Sequence, residues 1–278
     1  MSVLAFTSYL LIASTVAGLV GALTGLGGGV LLVPMLVLLF HVNVKYAVGA
    51  SLISVIATSS GASAAYIREG YTNMRIGTFL LVATVAGALL GAILAEHLHG
   101  RTIAIIFGVV LIFSAYLSLR RQEVLDEDRP SSLLAVRLGM EGSSPTVEGW
   151  QPYRVYNVMG GFGLMLVAGT LSGLLGIGSG AVKVLAMDHV MRLPYKVSTT
   201  TSNFMIGVTA AASAGIYLTR GFIDPGLTMP VMLGVFLGSV VGAKFLMIAR
   251  TELLRIFFSL IVFLLALEMI YSGLTGRI

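Results

Sequence analysis

Long apolar runs without a charged side chain follow one another along most of the chain. They cover 1–44, 46–67, 76–95 and 102–119, and then 155–182, 197–219, 225–243 and 256–267. A helix needs about 20 apolar residues to cross the hydrocarbon core of a bilayer. The runs lack the ten-residue alternation of membrane barrels, and a spanning helix satisfies its own backbone hydrogen bonds. The pattern therefore predicts an all-α integral membrane protein.

The composition supports this prediction. Of 278 residues, 57% are hydrophobic and only 10% are charged, and the mean hydropathy is +0.98. Such a chain has too few polar side chains to cover a water-soluble globule. The first residues lack the basic region of a secretory signal, so we interpret them as the first membrane element. Because the chain contains no cysteine, disulfides and thiolate metal sites are excluded.

One polar segment divides the chain. Residues 120–154 carry half of the twelve acidic residues together with prolines and serines. We therefore predict a first transmembrane repeat over 1–119, a solvated linker over 120–154 and a second transmembrane repeat over 155–278. A short helix is expected around 132–138 of the linker.

The two halves resemble each other when the chain is shifted by 151 residues. The shift aligns Gly25, Gly27 and Gly29 with Gly176, Gly178 and Gly180 without a gap. In the same register Lys45 matches Lys196, Ser51 matches Ser202, Thr58 matches Thr209, and Gly87 and Gly91 match Gly238 and Gly242. The matches indicate an internal duplication.

The basic residues give an expectation for topology. Lys and Arg are enriched in cytoplasmic loops, and the richer set of loops changes between the two halves. This predicts an inverted-topology repeat with both termini outside and a cytoplasmic linker. A parallel repeat of four helices per half is the alternative.

The glycine clusters predict that each half begins with a broken helical hairpin, followed by three transmembrane helices. Each cluster precedes a short apolar stretch, 30–40 or 181–191, which would form about 16 Å of helix. The start of such a helix offers bare N–H groups and a positive dipole, which favour an anion. Close helix packing is the alternative explanation for glycines, and we favour it for the pair Gly87 and Gly91.

Polar side chains near the second glycine cluster are candidates for the same site. Lys183 would provide a counter-charge inside the membrane, unless it pairs with Asp188 or reaches the membrane surface. Ser202 and Asn203 share a helix face, and the matching helix of the first half offers Ser51 and Thr58. Hydroxyls and amides bind anion oxygens, although they also form ordinary hydrogen bonds between helices.

Enzymatic and metal chemistry have little support. The four histidines have no spacing that gathers three metal ligands, and motifs for a serine nucleophile, a zinc protease or a phosphate loop are lacking. We expect no enzyme, no metal, no cofactor and no nucleic acid partner. The expected partners are a small anionic substrate and the lipid bilayer.

The motifs GALTGLGGGVLLVPML, from residue 21, and GLLGIGSGAVKVLAM, from residue 173, resemble the paired signatures of the sulfite exporter TauE/SafE family. The segment LPYKVSTTTSNFMIGVT, from residue 193, adds to the resemblance. It implies an inner-membrane carrier that moves small sulfur-containing anions such as sulfite or organosulfonates. In this sequence Ser179 replaces the middle glycine of the second cluster, and Leu185 stands where proline is frequent.

Together these observations predict a secondary transporter, an exporter, without catalytic residues. The expected substrate-binding residues are Gly25, Gly27, Gly28, Gly29, Ser51, Thr58, Gly176, Gly178, Ser179, Gly180, Lys183, Ser202 and Asn203. A carrier or channel for sulfate, thiosulfate or carboxylates, and a membrane scaffold that transports nothing, are the alternatives.

Overall fold

The computed structural model describes residues 3–24, 28–68, 70–119, 131–146, 149–246 and 251–277. The first half contains helices α1 (Val3–Thr24), α2 (Gly29–Leu38), α3 (Val44–Arg68), α4 (Met74–His97) and α5 (Gly100–Leu119). The linker adds α6 (Leu133–Arg137), β1 (Gly142–Thr146) and β2 (Gly149–Tyr153). The second half contains α7 (Val158–Leu175), α8 (Gly180–Leu185), a π-helical segment (Ala186–Val190), α9 (Tyr195–Thr219), α10 (Pro225–Leu246) and α11 (Thr251–Thr275).

Each half begins with a helical hairpin whose second arm is short. In the first hairpin, the rings of Phe6 and Phe40 meet at a centroid distance of 5.8 Å. The end of α2 therefore returns to the end of the molecule at which α1 begins. In the second hairpin, the N–H of Tyr156 donates to the carbonyl oxygen of Met191 at 3.0 Å. The predicted breaks in both hairpins are confirmed.

The long arm of each hairpin packs against a helix of the other half. Gly87 on α4 faces the carbonyl of Leu166 on α7, and one turn later Gly91 faces the carbonyl of Thr170. The two helices therefore run in the same direction. A Cβ atom at either glycine would overlap these carbonyl oxygens, so the interpretation as packing glycines is confirmed. The contact between α1 and α10 is equivalent to the contact between α7 and α4, because the 151-residue shift relates α1 to α7 and α4 to α10.

Helices α3 and α9 cross in opposite directions at the centre of the molecule. The ring of Tyr46, at the start of α3, packs edge-on against Phe222, just beyond the end of α9. At the other end, the Thr200 hydroxyl near the start of α9 donates to the carbonyl oxygen of Tyr71, beyond the end of α3, at 3.1 Å. Helices related by the 151-residue shift thus pair with each other. The same holds for α5 and α11.

The described part of the linker covers the end of the bundle at which α4 begins. Its helix α6 starts at Ser132, whose side chain accepts a hydrogen bond from the N–H of Ala135 at 3.3 Å. The short helix predicted there is confirmed. Ala135, Met140 and Val155 are buried in one apolar cluster with Ile76 and Met187. The linker is therefore attached to helices of both halves.

The linker also contains an element that was not predicted. Strands β1 and β2 pair in an antiparallel hairpin, in which Pro145 lies opposite Trp150 and Ser143 opposite Pro152. The hairpin is confined to the linker, and the described elements on either side of the linker are helical, as the all-α prediction has it. Pro145 and Pro152 fit this hairpin, because in a two-stranded ribbon each strand has a free edge where a missing N–H costs nothing.

A polar cluster holds the linker to the loop before α4. The Asn73 amide donates to the Tyr153 hydroxyl oxygen at 2.7 Å and to the carbonyl oxygen of Met140 at 2.9 Å. Arg75 donates to the carbonyl oxygen of Gly139 at 2.8 Å. Burial raises the pKa of Tyr153, and the hydrogen bond from Asn73 opposes that shift. The phenol is therefore neutral at physiological pH.

Two of the described helices, α4 and α7, are long and apolar enough to cross a membrane, judged by length and composition. Six further described stretches of 10–17 residues are apolar helices. Large apolar side chains on α4 remain exposed, among them Val82, Leu90, Ile93 and Leu94. Exposed apolar side chains of this kind fit contact with lipid.

Candidate functional site

The two hairpins meet beside α3. A Cβ atom added at Gly29, the first residue of α2, would lie 3.0 Å from the carbonyl oxygen of Gly176 and 2.9 Å from Ser51 Oγ. Ser51 donates to the same carbonyl oxygen at 2.8 Å, and it is fully buried. The structure thus brings together Gly29, Ser51 and Gly176, which come from both halves.

The loop between α7 and α8 has an unusual backbone. Gly176 and Gly178 both have φ of +69°, which glycine adopts without strain. Ser179 has φ of +46°, a value that is uncommon for a residue with a side chain. Within the described part of the chain, the backbone N–H groups of Ile177, Gly178 and Ser179 have no hydrogen-bond acceptor. The loop therefore presents bare donors inside the protein.

Ser179 adds a donor of the same kind. Its side chain is 3% exposed, and no described residue forms a hydrogen bond with its hydroxyl. A buried hydroxyl without a partner costs free energy, so such a group commonly has a functional reason. The serine that replaces the middle glycine thus combines backbone strain with an unused hydroxyl.

Lys183 lies one turn after this loop and is 0% exposed. Its Nζ donates to Thr209 Oγ1 at 3.1 Å, and Thr209 donates in turn to the carbonyl oxygen of Met205 at 2.6 Å. Lys183 therefore does not extend to the membrane surface. Asp188, the other partner considered, lies with Oδ2 3.2 Å from Nδ1 of its neighbour His189. Among the described residues, no carboxylate forms an ion pair with Lys183.

The threonines around Lys183 were not among the predicted substrate-binding residues. Thr209 Oγ1 lies 3.5 Å from Thr84 Oγ1, so α4 of the first half also reaches this group. In the sequence analysis Thr209 appears only as the match of Thr58 in the repeat, and Thr84 was missed. A signal existed for Thr84, because it is a hydroxyl in the middle of a charge-free run.

Helices α3 and α9 both lie against the second glycine loop. Ser202 Oγ donates to the carbonyl oxygen of Gly180 at 3.4 Å. A Cβ atom at Gly178 would contact Ile206 of α9 and Val55 of α3. Both helices of the central crossing therefore border the second glycine loop.

Three other predicted residues lie apart from this group. Gly28 packs on Val235 of α10. Thr58 donates to carbonyl oxygens of its own helix, at Ser54 and Val55. Asn203 is half-buried, and its amide forms no hydrogen bond with another described residue. Gly25 and Gly27 lie outside the described residues.

Two cavities lie elsewhere in the described part of the structure. One, of about 780 Å³, lies between α1, α2 and α11 and has mainly apolar walls, with Glu268 and Arg277 among its residues. A second of about 460 Å³ lies near Tyr46 and Asp224. Neither is lined by Lys183 or by the second glycine loop. Because Lys183 and Ser179 are buried, the candidate site is inaccessible to solvent in this conformation.

Comparison with known proteins identifies the family. The family model described as "Sulfite exporter TauE/SafE" matches residues 10–269. This chain belongs to the sulfite exporter TauE/SafE family. The match covers both hairpins and the linker, so the resemblance drawn from the glycine motifs is confirmed.

Relatives of the TauE/SafE protein described here match over most of their length. The "Probable membrane transporter protein YunE" of Bacillus subtilis is 25% identical over 273 residues, covering 95% of this chain and 97% of the relative. The "Probable membrane transporter protein YdhB" of the same species is 28% identical over 229 residues, covering 82% of this chain and 85% of the relative. A "Probable membrane transporter protein" of Methanocaldococcus jannaschii is 25% identical over 278 residues, covering 94% of each chain. No solved structure matches the chain. These names support a multi-pass membrane protein and name no substrate.

Proposed function

We propose that this TauE/SafE protein is a secondary transporter that exports small sulfur-containing anions such as sulfite or organosulfonates. The observation that carries the proposal is the buried amine of Lys183, one turn from a loop with three bare backbone N–H groups. A buried cation without a carboxylate partner is costly in a membrane protein, and it commonly marks the path of a substrate. An anion would provide the missing counter-charge.

The donors near Lys183 suit an oxyanion. Sulfite and sulfonates carry three oxygens around one sulfur and accept hydrogen bonds from several directions. The N–H groups of Ile177, Gly178 and Ser179, the Ser179 hydroxyl and Lys183 Nζ are donors of the required kind. Backbone donors and one lysine neutralise such a charge without a strongly acidic or basic pocket. Gly29 of the first hairpin, which faces Ser51 and Gly176, would complete the site from the other half.

We infer that the two halves form an inverted repeat. The antiparallel crossing of α3 and α9, together with the parallel pairs α1–α10 and α4–α7, supports a two-fold axis in the membrane plane. In that arrangement eight of the Lys and Arg residues in the described part of the chain lie at the end that carries the linker and four at the other end. The positive-inside bias then makes the linker cytoplasmic. Alternating access would come from one half rocking against the other.

Transport by purified protein in liposomes tests the proposal. Wild-type protein should move sulfite down a concentration gradient, and sulfite should raise its unfolding temperature. Lys183→Met should abolish both effects, because it removes the amine but keeps an unbranched side chain. Leu32→Met is the matched control, since Leu32 is the position equivalent to Lys183 in the first half and is also fully buried.

The outcomes distinguish the alternatives. A thermal-shift panel with sulfate, thiosulfate, organosulfonates and carboxylates ranks the anions. A larger shift with carboxylates than with sulfite would replace the proposed substrate class. Wild-type protein that shows neither flux nor stabilisation with any of these anions would instead be a membrane scaffold.

A further inference from the structure

Each end of the α3–α9 crossing is closed by a lysine of one half stacked on an aromatic ring of the other. Lys45 Nζ lies 5.4 Å from the ring centroid of Phe222, and Lys196 Nζ lies 5.5 Å from that of Tyr71. The 151-residue shift relates Lys45 to Lys196 and Tyr71 to Phe222. The two stacked pairs are therefore equivalent contacts at opposite ends of the molecule.

Both stacked pairs lie at the same helical distance from the candidate site. Lys45 precedes Ser51 by six residues on α3, and Lys196 precedes Ser202 by six residues on α9, which is about 9 Å of helix in each case. Ser51 and Ser202 donate to carbonyl oxygens of the second glycine loop and its helix. Each stacked pair thus lies between the buried loop and one end of the bundle.

Two further contacts reinforce the end at Lys45, one within the first half and one between the halves. Lys45 Nζ donates to the backbone carbonyl oxygen of Glu96 at 2.9 Å. Arg220 Nη2 of the second half lies 2.9 Å from Glu96 Oε2. These side chains are partly exposed, and such contacts are individually weak. Together the contacts of Lys45 and Arg220 hold this end of the crossing closed, and breaking them costs little free energy.

The end at Lys196 is reinforced in a comparable way. The N–H of Asn73 donates to Thr201 Oγ1 at 3.1 Å, and Thr200 Oγ1 donates to the carbonyl oxygen of Tyr71. Both bonds join the loop between α3 and α4 to the start of α9. Opening at this end requires the same separation of halves as at the other.

The middle of the crossing is narrow. A Cβ atom at Gly207 of α9 would overlap the hydroxyl of Ser59 on α3. Two helices that touch closely at their middle and are held at both ends form a pivot. Tilting one helix about this point separates one end and presses the other together.

We propose that the pairs Lys45–Phe222 and Lys196–Tyr71 are the two gates of the transport path, which open in turn about the Ser59–Gly207 contact. The proposal rests on the transport function proposed above. It assigns a gating role to four residues outside the candidate anion site.

Side-specific labelling tests the gates, and the cysteine-free chain makes the test direct. Ser51→Cys introduces a single thiol at the site, and a membrane-impermeant maleimide is added to sealed vesicles of either orientation. Lys45→Met should raise labelling about two- to fivefold from the face that carries residue 45, as expected for loss of one exposed cation–π contact. Lys196→Met should raise labelling of the same thiol from the opposite face by a similar factor.

The chain provides matched controls. Arg277 stacks on Tyr271 at 5.2 Å, and Arg192 stacks on Tyr156 at 5.6 Å, both within the second half. Arg277→Met and Arg192→Met remove comparable contacts without freeing one half from the other, so labelling should not change. Lys45→Arg keeps a cation over the ring and should retain slow labelling, which separates loss of the gate from loss of the fold.

The possible results bear on the two proposals separately. Unchanged labelling in both lysine variants, or increased labelling from the same face in both, would overturn the gates. Labelling requires no substrate. Opposite-face labelling combined with absent sulfite flux would therefore support the gates and remove the proposed function.

Discussion

Replacing Lys183 with methionine should stabilise the protein while removing its response to anions. Lys183 is 0% exposed, and only one of its three N–H donors has a partner among the described residues, Thr209. Losing that hydrogen bond costs about 0.5–1.5 kcal/mol, whereas each buried donor without a partner costs about 1–3 kcal/mol. Methionine removes all three donors and keeps the buried stem. Removing the two unpartnered donors outweighs the loss of the one hydrogen bond, which predicts a gain of about 0.5–5.5 kcal/mol in the free energy of unfolding.

The assay is thermal unfolding of purified protein with and without sulfite. In a chain of this size each kcal/mol shifts Tm by about 2–4 °C, so Lys183→Met should unfold several degrees above wild type in the absence of anion. Leu32→Met should change stability by less than about 1.5 kcal/mol, because it exchanges two apolar side chains of similar volume.

The reasoning fails if Lys183→Met lowers Tm relative to Leu32→Met. The amine would then stabilise the fold by more than its burial costs, as a structural group does. An unaltered sulfite-induced shift in Lys183→Met would likewise remove the lysine from the binding site.

Three further predictions concern packing, strain and the linker. Gly169→Ala should lower the free energy of unfolding by about 1–3 kcal/mol, because the added Cβ would overlap the carbonyl oxygen of Thr84 on α4. Gly163→Ala on the same helix meets no atom within 4 Å and should raise the free energy of unfolding by about 0.5–1 kcal/mol. Thermal unfolding compares the two variants. Ser179→Gly should relieve about 1 kcal/mol of backbone strain and raise Tm, yet it should weaken sulfite-induced stabilisation, and unchanged sulfite affinity by titration would contradict a binding role. Burial raises the pKa of Tyr153, so its stabilising contribution is complete below the unfolded value near 10 and is lost as pH rises through the folded value. The fluorescence of Trp150, the only tryptophan, should change above pH of about 10 and lose that transition in Tyr153→Phe.

The main architecture could be predicted because it depends on local signals. Runs without charge give helices, and glycine clusters at the same offset give two breaks, at Thr24 and at Leu175. The β hairpin of the linker escaped prediction because Pro145 and Pro152 are compatible with strands only when the sheet has two free edges.

The candidate site was less predictable because it depends on which residues of other helices contact each side chain. From the sequence, Lys183 could be a counter-charge inside the membrane, pair with Asp188 or reach the membrane surface. In the structure it lies inside the protein, where α9 and α4 place Thr209 and Thr84 around it. Thr58 and Thr209 are equivalent in sequence, but among the described residues Thr58 forms hydrogen bonds only with its own helix. The hydrogen-bond partners of the two threonines differ because different helices pack against them, and the periodicity of the sequence does not show which helices these are.

The pairing of α1 with α10 has a consequence for biosynthesis. Gly238 of α10 packs against the carbonyl group of Thr15 of α1, and the two residues are separated by most of the chain. During synthesis α1 enters the membrane long before α10 and lacks this neighbour until α10 emerges from the ribosome. Early in translation its small-residue face meets lipid or the insertion machinery instead. A polypeptide cut within the linker would leave both fragments with such an uncovered face, so each fragment should accumulate in the membrane only when the two are produced together.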